Sequence, residues 1–132
     1  MRFFFDNCLS PKLARAINCL IEPDHTVLHL RDHKEFSADT PDTKWIQKLG
    51  EEGNWVIVSG DLRIKKRREE RRVWKESNLT TFFMAKSFVR QKAWDQALWM
   101  IRKWPDIQDM ASKVAPGASF IVPKVSKKLE QT

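Results

Sequence analysis

The sequence predicts a three-layer α/β/α domain built on a mainly parallel sheet of four to five strands. Short aromatic or β-branched runs alternate with stripes of helical period along the chain. Two Ser/Thr-Pro pairs, Ser10-Pro11 and Thr40-Pro41, each sit just before such a stripe, where helices start. Strands that alternate with helices are joined by right-handed crossovers, which makes the sheet parallel and covers both its faces. With 132 residues, 42% of them hydrophobic, the chain suits one core.

The elements follow in order. Arg2 to Phe5 is an aromatic run ending at Asp6-Asn7, a buried strand entering a polar loop. After Ser10-Pro11, the residues Leu13, Ala14, Ile17, Leu20 and Ile21 form one apolar stripe. Pro23-Asp24 breaks this helix, and His25 to Leu30 reads as the second strand. Thr40-Pro41 opens a helix with Trp45, Ile46 and Leu49 on one side, closed by Gly50 or Gly53, and Trp55 to Val58 is the third strand. Ser59-Gly60-Asp61 turns out of it into a basic segment expected to be helical to Glu76, and Leu79 to Met84 is the fourth strand. Trp94, Ala97, Leu98 and Ile101 mark an amphipathic helix, Pro105 begins a second short one, and Ser119 to Val122 is a last edge strand. The expected domain is therefore 1–123, and the tail 124–132 is polar and expected to be frayed.

Composition narrows the functions. No apolar stretch approaches the roughly 20 residues of a membrane span, and the opening run is too short for a signal-peptide core, so a cytoplasmic protein is expected. Cys8 and Cys19 have neither CxxC spacing nor scaffold density and read as reduced thiols. Phosphate loops, nucleophile elbows and dinucleotide fingerprints are missing from the sequence. Net charge is +7, and Arg63 to Lys75 holds eight Lys/Arg against two Glu. Such a concentration suits a polyanion, although a solvated helix face has the same composition.

The chemistry is carried by acids. In open parallel sheets, ligands sit at the carboxyl ends of the strands. Asp6 and Asp61 each follow a strand, and Asp42 lies in a first helical turn at the same edge. Asp42 also precedes Trp45, Ile46 and Leu49 by three, four and seven residues, which aims it inward. Each acid has an ordinary role open to it, as turn former or helix-dipole partner. Three carboxylates at one rim, however, repel unless a proton or cation joins them, and hard oxygen ligands suit Mg²⁺ or Mn²⁺. His25, His29 and His33 are spaced by four, but HTVLHL is strand-like and the metal reading is set aside. Most of the Trp and Phe residues fall on strands or stripes and read as core, with Trp74 in the basic segment the exception.

At these residues a resemblance enters. FFFDNCLSPKLARAI is similar to the DENLSPKLA start of small PIN-like proteins, WVIVSGDLRI to their strand ending in a T/S-x-D turn, and TPDTKWIQKLGEEG to the helix between them. The resemblance covers about the first half of the chain and implies a PIN-like fold and a metal-dependent ribonuclease. It also implies the toxin of a toxin–antitoxin pair, with RNA as substrate and a cognate antitoxin as partner; homodimerisation stays open. It assigns Asp6, Asp42 and Asp61 as catalytic and metal-binding residues. Asn7 stands where many relatives have Glu, and Leu79 to Phe88 holds no fourth acid, so one ion or two remains open. Arg63, two residues beyond Asp61, is open to two readings, a contact to the phosphate from the same turn or an ordinary surface charge. Arg67, Arg68, Arg71 and Lys75 share about a third of a helix circumference and form the expected nucleic-acid stripe, open equally to RNA or an acidic antitoxin segment. A PIN-like domain that binds RNA or protein without cutting is the alternative reading.

Overall fold

A computed structural model describes residues 1–123 and 129–132. Its strands are β1 (Arg2–Phe5), β2 (Thr26–His29), β3 (Trp55–Ser59), β4 (Thr80–Met84), β5 (Ser119–Val122) and β6 (Glu130–Gln131). Its α-helices are α1 (Pro11–Ile21), α2 (Asp42–Glu52), α3 (Arg68–Ser77), α4 (Lys86–Val89) and α5 (Ala93–Lys113). The sheet order is β2-β1-β3-β4-β5-β6, parallel throughout except for β6. Because side chains alternate along a strand, Phe3 and Phe5 join Leu13, Ile17, Trp104 and Ile107 on one face, while Phe4 joins Trp45, Ile46, Leu49 and Val73 on the other. This is the expected α/β/α sandwich.

Local chemistry explains the helix starts. Ser10 Oγ accepts the Lys12 N–H at 3.1 Å with Pro11 at the first helical position. Thr40, in contrast, does not cap α2; its hydroxyl accepts from Ser37 N–H, and the helix begins at Asp42, whose charge faces the helix dipole. Gly53, at φ 73°, closes α2. Gly50 lies inside the helix and lets it press on the end of α3: a Cβ there would stand 2.9 Å from Ser77 Cβ and 3.1 Å from its Cα. Gly50→Ala should therefore lower stability by about 1–2 kcal/mol, overpacking outweighing the gain in helix propensity. A shift of the urea midpoint upward instead would show that α3 yields without cost.

Several expectations need correction. The basic segment is not one helix: Leu62–Lys65 forms a 3₁₀ turn, Arg67 is extended, and α3 starts at Arg68. Pro105 does not open a new helix, because α5 runs through it for 21 residues, held on the sheet by Met100, Trp104 and Ile107 on either side. The hydrogen bond Pro105 lacks would go to Ile101, which is on the solvent side. The stripe Trp94, Leu98 and Ile101 faces water, Trp94 at 88% exposure, and the buried stripe is Trp99, Met100, Trp104 and Ile107. Leu20 likewise points outward. Of the expected frayed tail, residues 124–128 lie outside the described residues. Glu130–Gln131 pairs antiparallel with β5, and Thr132 N–H donates to Ser119 O at 2.8 Å, so β5 is not the edge.

Candidate metal centre and nucleic-acid interface

Adjacent parallel strands β1 and β3 bring Asp6 and Asp61 to one carboxyl edge, with Phe5 level with Val58 and Asp6 N–H on Val58 O at 3.3 Å. Asp6 is buried. Its Oδ1 accepts the N–H groups of Cys8 at 3.1 Å and Gly60 at 3.2 Å, and its Oδ2 accepts the Ser59 hydroxyl. Ser59 Oγ in turn accepts the Asp61 N–H at 3.0 Å, so Asp6 sets the turn that presents Asp61. Burial pushes the Asp6 carboxyl up to about 7, against the pull of these hydrogen bonds and with help from the Asp42 charge.

Asp42, Asp61 and Glu70 form the tighter group: each offers a carboxylate oxygen within 4.8 Å of the others. They come from the starts of α2 and α3 and the turn after β3, three connections at the same edge. Burial raises the Asp42 carboxyl, the Trp45 indole N–H at 2.8 Å opposes this, and the charges of Asp61 and Glu70 raise it further. Loss of hydration, and then the Asp6, Asp61 and Asp42 charges, push the Cys8 thiol up to about 12, away from the thiolate.

Two arginines border the acids. Arg63 Nε donates to Asp61 Oδ1 at 2.8 Å and Arg67 pairs with Glu70 Oε1 at 3.2 Å. The second Glu70 oxygen is buried, and among the described residues it is the one side-chain oxygen or nitrogen so placed that lacks a hydrogen-bond partner. A buried carboxylate oxygen left without a donor fits a cation beside it. Glu70 was not among the acids singled out from sequence, because it sits within a basic run.

The remaining expected residues fall elsewhere. Asn7 ties loops together, donating to Ala38 O and accepting from Arg31 Nε. His29 is buried between Leu9 O and the Arg31 N–H. His33 lies near Glu35 and Glu52, but its Nδ1 accepts the Glu35 N–H, which leaves the proton on Nε2 and removes that nitrogen as a metal ligand. Of the expected nucleic-acid stripe, Arg67 is paired while Arg68, Arg71 and Lys75 are exposed with no carboxylate within ion-pair distance among the described residues.

Fold and site together define an α/β domain with an acidic centre at the carboxyl edge of a parallel sheet and a basic helix beside it. A family model described as a PIN like domain matches residues 1–86, which include all four acids, and the chain belongs to that family. Neither the curated proteins nor the solved structures compared with it give a match. Among the described residues no helix is long and apolar enough to cross a membrane.

Proposed function

We propose that this domain is a divalent-metal-dependent ribonuclease, held in check as the toxin of a toxin–antitoxin pair. The observation that carries the nuclease reading is the Asp42–Asp61–Glu70 group with its buried, unpartnered Glu70 oxygen. The toxin role rests on the likeness to small PIN-like proteins. These three acids would hold Mg²⁺ or Mn²⁺, with Asp6 adding charge from behind. When bound, the ion supplies an activated water and stabilises charge on the scissile phosphate. The chain's own residues do the rest. Trp45 fixes the Asp42 carboxylate, and the Asp6–Ser59–Asp61 relay of hydrogen bonds fixes the turn. The exposed Arg63 guanidinium, now on Asp61, is free to swing onto a phosphate oxygen.

One observation favours the second reading, a module that binds without cutting: Arg63 and Arg67 already neutralise two of the acids. The two separate in a cleavage assay on a mixed RNA pool with Mn²⁺ or Mg²⁺, comparing the wild type with Asp42→Asn and Asp61→Asn. Metal-dependent cleavage that falls at least about a hundredfold in both variants is expected. A folded wild type that binds RNA but leaves it intact with either ion would leave the binding module standing.

A further inference from the structure

The charges of α3 are sorted by face. Arg72 stands between Glu69, at 2.6 Å, and Glu76, at 3.1 Å, and Arg67 pairs with Glu70. On the opposite flank, Arg71 and Lys75 are one turn apart and have no carboxylate partner among the described residues, although like charges at this spacing cost a few tenths of a kcal/mol. With Lys65 from the 3₁₀ turn they line a cleft of about 390 Å³ between α3 and the β5–β6 side of the sheet. That volume lies in the range of small-ligand clefts, roughly 300–1,000 Å³. Its lining includes Trp74, Asn78, Ser119 and Thr132 and, among the described residues, no Asp or Glu side chain. The indole is held in place: its N–H donates to Thr81 Oγ1 at 2.9 Å, and its ring meets Phe83 edge-on at 5.4 Å. Lys65 Nζ lies 5.7 Å above the same Phe83 ring.

We infer that this cleft is a subsite for a flanking nucleotide of single-stranded RNA, with phosphates on Lys65, Arg71 and Lys75 and a base against Trp74. An aromatic wall inside a cationic groove is what sequence-tolerant single-strand binding requires. An acidic peptide would satisfy the charges but make no use of the indole. The cleft runs along α3, from Lys65 and Arg71, which neighbour Asp61 and Glu70 in the chain, to Asn78, Leu79, Gly117 and Ser119 at the amino ends of β4 and β5. A strand whose scissile phosphate is at the acids would reach the cleft by following α3 from its start toward its end. The inference rests on the ribonuclease reading for the identity of the polymer, and not for the presence of the anion site.

The test is binding of a fluorescein-labelled oligouridylate by anisotropy, in EDTA so that no metal-dependent cleavage intervenes, across a salt series. Replacing Arg71 and Lys75 together by Ala should flatten the logarithmic salt dependence by about 1.4, or roughly 0.7 per lost phosphate contact on a single strand. Trp74→Leu should weaken binding at least about fivefold and leave the salt slope unchanged. Arg72→Ala, which removes the same charge from the paired face, should stay within about twofold of wild type. Equal losses in Arg71→Ala and Arg72→Ala would overturn the subsite in favour of a diffuse charge effect. Displacement by polyglutamate as readily as by unlabelled oligouridylate would overturn it in favour of an acidic protein segment. Cleavage that fails while EDTA binding follows this pattern removes the nuclease reading alone; cleavage intact without the pattern removes the subsite alone.

Discussion

Asp6→Asn is expected to make the protein more stable at pH 8, in the absence of divalent ions, by about 1–3 kcal/mol, and less active. The unfolded carboxyl titrates near its ordinary 3.8 and the folded one near 7, chiefly because burial disfavours the charge. Between those values the folded chain holds a proton that the unfolded chain has lost, so wild-type stability falls as pH rises from about 4 to 7. Above 7 the full penalty of a buried carboxylate persists, at about 1.36 kcal/mol for each pH unit that separates the two titrations. Asparagine has no such penalty, and the site accommodates it. Its single oxygen takes the N–H groups of Cys8 and Gly60, and its amide donates to Ser59 Oγ, which still receives Asp61 N–H; the buried Ser59 hydroxyl, which donates to Asp6 in the wild type, loses that acceptor, which offsets about 1–3 kcal/mol of the gain. Urea denaturation at pH 5 and pH 8 in EDTA decides the matter. The variant's advantage should widen by about 2–3 kcal/mol between the two; an advantage that is the same at both would mean Asp6 is ionised throughout. Metal-dependent cleavage should fall at least about tenfold, because a charge that favours a cation has gone. Stability and activity then move in opposite directions, as expected where a fold keeps a costly group for function.

The same residues show what sequence could and could not reveal. β1 and β3 were legible because both faces of a parallel strand are buried, which writes an unbroken apolar run such as FFF or WVIV. Those runs end sharply, so the acid after each was legible too. α1 and α2 announced themselves through Pro11, which opens the first, and Pro41, which stands just before the second. α5 did not, because its N-terminal half carries apolar residues on two stripes. Periodicity alone does not choose between Trp94–Leu98–Ile101 and Trp99–Met100–Trp104; the sheet does, by taking the stripe whose rings reach Phe3, Phe5 and Phe88. β6 has only two polar residues, and it is held by pairing to β5 rather than by any propensity of its own. Glu70 was hidden for a related reason: eight basic residues mask the helix start, so REERR reads as a charged face instead of a first turn with an inward acid. Had the start at Arg68 been visible, the rule that picked out Asp42 would have picked out Glu70.

Glu70→Gln is expected to weaken binding of Mn²⁺ about 100-fold while leaving the apo fold at least as stable. The amide keeps the size of the side chain and an oxygen for Arg67, so packing of α3 is undisturbed. What is lost is one of three negative charges gathered within 4.8 Å, and with it the buried oxygen that has no donor in the apo site. Without the ion, that loss relieves repulsion, since the Glu70 charge is among those that raise Asp42. With the ion, the balance reverses. A ligand at 100 times its dissociation constant stabilises the folded state by about 2.7 kcal/mol, and a hundredfold weaker site under the same conditions gives only about 0.4 kcal/mol. Thermal or urea unfolding with and without Mn²⁺ should therefore show a large metal-dependent gain in the wild type that nearly vanishes in Glu70→Gln. Glu69→Gln, on the exposed neighbour that pairs with Arg72, should retain the gain. If both variants keep it, Asp42 and Asp61 suffice for the ion and the further acid on α3 serves only to anchor Arg67.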